Sequence, residues 1–195
     1  MVGMQRLLAQ LHVIGRRLAI AILITLAPLP VGAAEPATVE LLDVFAAVCL
    51  AKFPDDADVR HYASEKQFDV MAEERLRRLL GTDPGTGWVQ KGAFRQYLLT
   101  IEFPPYHTCA IRASNAKTPD FVPTFTERIG GWAASQMGAR LKGPSRQTAS
   151  IGGVSSEVYL WELDRGPGKS GETLIAVVPS PPEVTEVRLV RGINP

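Results

Sequence analysis

The spacing of hydrophobic residues along the chain changes near residue 81. Before this point apolar residues recur every three or four positions, as in amphipathic helices. After it, most apolar runs alternate with polar residues, as in strands that bury one face. The predicted order is three helices, three strands, one helix and three or four strands. This order indicates an α+β fold, in which a curved antiparallel sheet of about six strands has helices packed on one face.

The first three helices are predicted over residues 38–52, 56–66 and 69–80. Thr38 is expected to cap the first helix, and Phe53-Pro54 to end it, because proline disfavours a helical residue before it. Cys49 falls on the apolar face of this helix and should point inward. Gly81 is expected to end the third helix.

A central hairpin is predicted from the next segment. A first strand covers residues 88–91, and two apolar runs at 94–103 and 108–113 meet at Pro104-Pro105, which should form the turn. The strand pattern places Cys109 on the buried side of the returning strand. The N-terminal helix would then be tied to the sheet if Cys109 pairs with Cys49.

A long helix is predicted over residues 124–141. The sequence from Thr124 to Glu127 has the form of a capping box, and Met137 falls on the predicted inward face. The helix contains three glycines that lower helix stability, and we expect close approach to the sheet to offset that effect. These glycines are Gly130, Gly131 and Gly138.

The remaining strands are predicted at residues 146–151, 154–163 and 172–178, with a final edge strand at 185–191. Gly152 and Gly153 suit a tight hairpin turn between the first two. The loop from Gly166 to Ser170 resembles the end of a phosphate-binding loop, but it lacks the earlier glycine and is flanked by strands. We therefore interpret it as an ordinary hairpin loop.

The N-terminus has the pattern of a secretory signal peptide. Three arginines precede or border an uncharged apolar run at residues 18–30, and small residues follow. That run is about a dozen residues long, whereas a membrane-spanning helix needs about 20. We predict a signal peptide at residues 1–33, cleaved near Ala33 or Ala34, and a single α+β domain at 34–195. Contact with the membrane would be transient, through the signal peptide.

Net charge gives no indication of a nucleic-acid partner. The full chain carries +1, and removal of residues 1–33 takes away three arginines and no acidic residue, which leaves about −2. We predict no nucleic-acid binding and a periplasmic or secreted location.

The two cysteines of an exported chain indicate one disulfide, Cys49–Cys109. Two alternatives remain at this point: a pair of free buried thiols, or a metal site that uses Cys109 with His107. The second alternative lacks the spaced ligands of a zinc site. We predict neither a metal nor another cofactor.

No catalytic motif emerges from the sequence. His61 and His107 are the histidines beyond the predicted signal peptide, and neither has a partner pattern typical of nucleophilic or acid–base catalysis. The turn formed by Pro105, Tyr106 and His107 is the predicted binding site, because it places an aromatic residue in a proline-containing turn. A partner protein or peptide of the envelope would be its ligand.

The segment WVQ…FRQYLLTIEFPPYHTCAIRAS follows a helix that carries Cys49. In this it resembles an uncharacterised family of proteobacterial periplasmic proteins and lipoproteins, which have one cysteine in an N-terminal helix and another in a strand of the form C-x-I-R. The resemblance covers residues 38–114, although this chain lacks the lipidation cysteine of the lipoprotein members. It implies an envelope location and a disulfide, and no particular activity.

The sequence therefore favours an exported, non-enzymatic binding or interaction module. The alternative is an envelope hydrolase, or a hydrolase inhibitor, that acts through a cleft between the sheet and the glycine-rich helix. Carboxylates converging on His61 or His107 would favour the enzyme. An exposed turn beside a filled sheet face would favour binding.

Overall fold

The computed structural model describes residues 35–114, 121–166, 168–180 and 186–193. The predicted signal peptide and its cleavage position at Ala33 or Ala34 lie outside these residues. Thr185, the predicted first residue of the last strand, does so too. Both therefore stay predictions.

The described part of the chain has four α-helices, which come before the sheet or between its strands. Helix α1 begins with Pro36, which suits the first turn because proline has no backbone N–H to leave unpaired, so Thr38 lies inside the helix and is not its cap. Asp55 caps α2 by accepting hydrogen bonds from the N–H groups of Ala57 and Asp58. The bounds are α1 Pro36–Phe45, followed directly by a π-helical segment Ala46–Leu50, α2 Asp56–Glu65, α3 Glu73–Leu80 and α4 Phe121–Ser135.

The strands form one antiparallel sheet, which confirms the α+β class but has eight strands where about six were predicted. Their order across the sheet is β1-β2-β3-β4-β8-β7-β6-β5. The bounds are β1 Asp69–Val70, β2 Gly85–Lys91, β3 Gln96–Glu102, β4 Thr108–Ser114, β5 Arg140–Ile151, β6 Val154–Asp164, β7 Glu172–Pro179 and β8 Glu186–Ile193.

The last strand is central, so its prediction as an edge strand was wrong. Strand β8 pairs with β4 on one side and β7 on the other. It thereby joins the N-terminal and C-terminal halves of the sheet. Its arginines, which suggested an exposed edge, instead belong to the two sites described below.

The two faces of the sheet differ in what covers them. One face, which we call the helix face, carries Cys109, Ile111 and Ala113 of β4 together with their register partners on the neighbouring strands. The opposite face, which we call the open face, carries Thr108, Ala110 and Arg112 with theirs. Side chains alternate between the two faces along each strand.

The largest aromatic cluster lies on the helix face and joins it to two helices. Phe125 of α4 packs edge-on against Phe45 of α1, with ring centroids 5.6 Å apart, and against Trp161 of β6 at 5.2 Å. All three side chains are fully buried. The main hydrophobic core is therefore between the helix face and helices α1 and α4.

Helix α3 lies on the open face, so the helices do not all pack on one side as predicted. Atoms of Leu80 and Leu76 occupy the space where Gly85 and Gly87 would carry a side chain on β2. Gly85 and Gly87 pair with Glu102 and Thr100, which belong to the open face. The two glycines thus allow α3 to sit directly on the sheet, over β2 and β3.

Helix α4 begins and ends earlier than predicted. It starts at Phe121, so Thr124 lies within the helix and does not form a capping box. It ends at Ser135, Gly138 adopts a positive φ of 75°, and β5 begins at Arg140. Met137, predicted to face inward, is 96% exposed.

The glycines of this region do not approach the sheet. A side chain added at Gly130, Gly131 or Gly138 would meet nothing within 4 Å. The predicted close approach was therefore wrong, and nothing in the structure explains Gly130 and Gly131. Gly152 and Gly153, in contrast, form the predicted hairpin turn, both with positive φ.

Within the described residues, no helix is both long enough and apolar enough to cross a membrane.

Candidate binding site

The predicted disulfide joins the end of the π-helical segment to β4. Cys49 and Cys109 are bonded, with Cα atoms 5.5 Å apart, and both residues are fully buried. This confirms the pairing and excludes the two alternatives, free thiols and a Cys109–His107 metal site. No cluster of three or more metal-ligating side chains occurs among the residues that the structure describes.

Arg191, directly beside Cys109 in the sheet register, is the central polar residue of the helix face. Its Nη1 donates hydrogen bonds to the carbonyl oxygens of Cys49, Leu50 and Phe53, at 2.8, 3.1 and 2.6 Å. These carbonyls belong to the end of the first helical region, where backbone acceptors lack helical partners. Arg191 therefore caps the segment that the disulfide also holds.

Glu172 neutralises Arg191 inside the core. Its Oε2 accepts from Arg191 Nε at 2.6 Å, and its Oε1 lies 2.5 Å from Nη2 of Arg165. Glu172 and Arg191 are both buried, whereas Arg165 is partly exposed. The guanidinium of Arg191 also stacks over the Trp132 ring, 4.8 Å from its centroid. A buried charge with this many partners is a structural link and is closed to ligands.

Sequence reasoning missed both residues of this pair, although a signal was present. Val187 and Leu189 were placed on one side of β8, and continuing the alternation puts Arg191 on that same side. Glu172 has the same parity as Leu174 on β7. Arg191 and Glu172 carry opposite charges, and the alternation of each strand places both on the side that faces the core. This combination indicates a buried ion pair.

The turn predicted as the binding site sends its side chains in two directions. His107 points toward the helix-face side, where its ring packs 4.7 Å from Phe53 and its Nε2 lies 3.1 Å from Asp56 Oδ1. The carbonyl oxygen of His107 accepts a hydrogen bond from Ile193 N. His107 thus anchors the turn. Tyr106 is 61% exposed and free to contact a ligand.

Pro105 and Tyr106 line a groove on the open face, which we call the Tyr106 groove. Its cavity is about 700 Å³, within the usual range for ligand pockets. The floor is formed by β4, β8 and β7 beyond the area that α3 covers. The lining residues are Asp83, Glu102, Pro105, Tyr106, Thr108, Thr173, Ile175, Val190, Gly192 and Ile193.

The lining of the Tyr106 groove is apolar in its centre and acidic at one side. Ile175 and Val190 are register partners on the floor, and Asp83 and Glu102 supply two carboxylates. Glu102 Oε2 accepts a hydrogen bond from Thr108 Oγ1 at 2.7 Å, which fixes the orientation of its side chain. No lysine or arginine is among the lining residues that the structure describes. The groove therefore suits an apolar group that lies next to a positive charge.

A second polar feature of the open face lies farther along the same strands. Arg112 of β4 and Arg188 of β8 are register partners. Burial, together with repulsion from Arg188, lowers the pKa of Arg112 to about 10. Burial also raises the pKa of Glu186, the carboxylate next to this pair, although Arg112 and Arg188 oppose that shift.

Two further cavities among the described residues contain no catalytic set. A cavity of about 510 Å³ lies between the π-helical segment and α4, and its ionisable residues are Glu127 and Arg128. A smaller one, about 220 Å³, lies at the bulge of β5 beside Lys142 and Glu162. Neither His61 nor His107 lines any of these three cavities. The only carboxylate within bonding distance of His107, among the described residues, is that of Asp56.

Comparison with models of protein families, with curated proteins and with solved structures found no match.

Proposed function

We propose that this protein is an exported, non-enzymatic binding module that holds a peptide segment of an envelope protein in the Tyr106 groove. The observation that carries the proposal is the position of an exposed tyrosine at the edge of a concave, mainly apolar surface with two carboxylates. Aromatic residues are enriched at protein interfaces, where they supply a large contact area. The export pattern at residues 1–33 supports an envelope partner.

Charge complementarity defines the preferred ligand. Asp83 and Glu102 lie in a groove whose described lining residues include no lysine or arginine. An apolar side chain on Ile175 and Val190, with a lysine or arginine close by in the peptide, would satisfy both parts of the lining. An acidic peptide would instead place like charges together.

The rigid anchoring of the turn supports binding without a large rearrangement. Ile193 and Asp56 hold His107 from two sides, so the backbone next to Tyr106 is fixed before a ligand arrives. A pre-ordered contact residue lowers the entropy cost of association. The hydrolase or hydrolase-inhibitor alternative has no comparable observation in its favour among the described residues.

Fluorescence anisotropy with short labelled peptides tests the proposal. The protein would be expressed with its full N-terminus and purified after export, then titrated with three peptides that share an aromatic-leucine centre and carry flanking lysine, glutamine or glutamate. We expect the affinity to fall in that order. Tyr106→Ala should weaken the lysine peptide about tenfold or more, as for the loss of an interface hot spot.

Phe94→Ala is the matched control, because Phe94 is 60% exposed and lies in a different turn. It should bind the lysine peptide as the unaltered protein does. The proposal is wrong if no peptide binds, if the glutamate peptide binds best, or if both alanine variants weaken binding equally.

A further inference from the structure

Two arginines lie side by side on the open face without an adequate counter-charge. Arg112 and Arg188 are directly opposite each other in the β4–β8 register. Opposed residues of antiparallel strands have Cβ atoms about 5 Å apart, and like charges at such positions destabilise a sheet. An apolar pair at this position would avoid that repulsion.

The hydrogen bonds of this pair are incomplete. Arg112 Nη2 donates to the carbonyl oxygen of Leu79 at 3.3 Å. The Nε atoms of both Arg112 and Arg188 are buried and have no hydrogen-bond partner in the described part of the chain. Arg112 as a whole is 7% exposed. A buried donor without an acceptor carries the full cost of its lost hydration.

The nearest carboxylate does not complete the site. Glu186 Oε1 lies 3.8 Å from Arg112 Nη1, which is an ion-pair distance but too long for a hydrogen bond. A third cation, Arg75, is close enough to influence Glu186 and donates to Gln96 Oε1. Glu102 is a second carboxylate close enough to influence Arg112. Three guanidinium groups are therefore near two carboxylates, and an excess of positive charge remains.

We propose that Arg112 and Arg188 form a binding site for an oxyanion, either a carboxylate or a phosphate group. The oxygens of such a group accept from guanidinium N–H donors in a planar, charge-assisted geometry. One bridging oxyanion would supply acceptors for both unpartnered Nε atoms and screen the repulsion between the two arginines. Arg188 and Glu186 are partly exposed, so an anion would enter from their side, with a side-chain rearrangement that uncovers the two buried Nε atoms.

This inference does not depend on the function proposed for the Tyr106 groove. Val190, which lines the groove, pairs with Ala110, and the Arg112–Arg188 pair lies two register positions away from them. At the rise of a strand, this separation is about 7 Å. The two sites share the open face but have opposite charge. An experiment can therefore refute one of the two proposals and leave the other intact.

Nuclear magnetic resonance of the arginine Nε–H groups tests the site directly. The full protein would be titrated with sodium phosphate and, separately, with sodium acetate, with sodium chloride of the same ionic strength as reference. We expect saturable shifts of the Arg112 and Arg188 Nε–H signals with at least one of the two anions. Saturation with phosphate alone assigns a phosphate ligand, and saturation with acetate assigns a carboxylate.

Two variants complete the test. Arg188→Gln should lower the anion affinity at least tenfold, while the unchanged Arg112 contact with Leu79 keeps α3 in place. Arg140→Gln is the control, because Arg140 is an exposed arginine at the start of β5, and it should leave the affinity unchanged. Circular dichroism would verify that both variants are folded.

The inference is overturned if neither anion gives a saturable shift beyond that of chloride. It is equally overturned if folded Arg188→Gln binds as tightly as the unaltered protein, or if exposed arginines such as Arg140 shift in parallel with Arg112.

Discussion

Arg191 joins three parts of the molecule through one side chain. It pairs with Glu172 on β7, caps carbonyls at the end of the first helical region, and stacks on Trp132 of α4. A buried ion pair gains little over an apolar pair of the same size, but removal of one partner is costly. Its significance here is the capping of Cys49, Leu50 and Phe53, which no apolar side chain can provide.

Arg191→Met is expected to destabilise the protein by about 3–5 kcal/mol, because it leaves Glu172 with one partner and three buried carbonyls without a donor. Glu172→Gln should cost less, since the glutamine oxygen still accepts from Arg191. The measurement is urea unfolding followed by tryptophan fluorescence.

Arg146→Met provides the control for this series. Arg146 forms a surface ion pair with Glu157 on the neighbouring strand, and such pairs contribute about 1 kcal/mol or less. If Arg191→Met is no more destabilising than Arg146→Met, Arg191 is not the structural link described here.

At the scale of elements, two links hold the N-terminal helical region to β4 and β8. The disulfide closes a loop with a sequence separation of 60 residues. Arg191 contacts the same turn from the adjacent strand. Because the two links share a segment, their effects on stability should not be additive.

The double variant Cys49→Ser/Cys109→Ser should lower the free energy of unfolding by up to about 4 kcal/mol, since it removes a constraint from the unfolded chain. Urea unfolding of the purified protein, with and without a reducing agent, measures this directly. Reduction should bring the unaltered protein to the stability of the double variant. A loss below about 1 kcal/mol would contradict the role of the disulfide as the main covalent constraint on α1.

The sequence was sufficient for elements with strong local patterns. The Cys49-bearing helix, the hairpin of β3 and β4, and the Gly152-Gly153 turn all follow from periodicity or turn chemistry. Strand order does not have such a local signal. The edge prediction for β8 failed because Arg188 and Arg191, which lie on opposite faces of a central strand, look in sequence like the solvent-facing residues of an edge strand.

The end of α4 was also predicted wrongly, because a long-range interaction determines it. Leu141 continues the helical spacing of α4, so periodicity alone extended the helix to it. In the structure Gly138 takes a positive φ, and Leu141 pairs with Leu163 in the sheet. The competing interaction is a long-range strand pairing, which no local window contains.

At the scale of the whole molecule, the two faces of the sheet are covered unequally, and both proposed sites lie on the less covered open face. Helices α1 and α4 fill the helix face, while α3 lies over β2 and β3 of the open face and reaches Arg112 of β4. The Tyr106 groove lies beyond α3, and the arginine pair lies at its margin. Pro105 and Tyr106 were predictable from the exposed turn chemistry, whereas Ile175 and Val190 were not, because strand order brings them to that turn.

The exposed edge strand β5 is protected against pairing with other chains. It contains a bulge between Lys142 and Ser145, a proline at residue 144 and charged residues at Arg140 and Arg146. Proline, bulges and charge are the usual means by which proteins block edge-to-edge association. Because the β5 edge is blocked, we expect a partner peptide to bind the open face and not to add a strand to the β5 edge.

Methyl resonance mapping tests the central claim, that ligands bind on the open face beneath Tyr106. The purified protein, with labelled isoleucine methyl groups, would be titrated with the lysine-flanked aromatic peptide. We predict the largest shift at Ile175, which lies on the floor of the groove, and unchanged signals at Ile111 and Ile129 in the core of the helix face. Shifts that centre on Ile129, next to the cavity between α4 and the π-helical segment, would contradict the account.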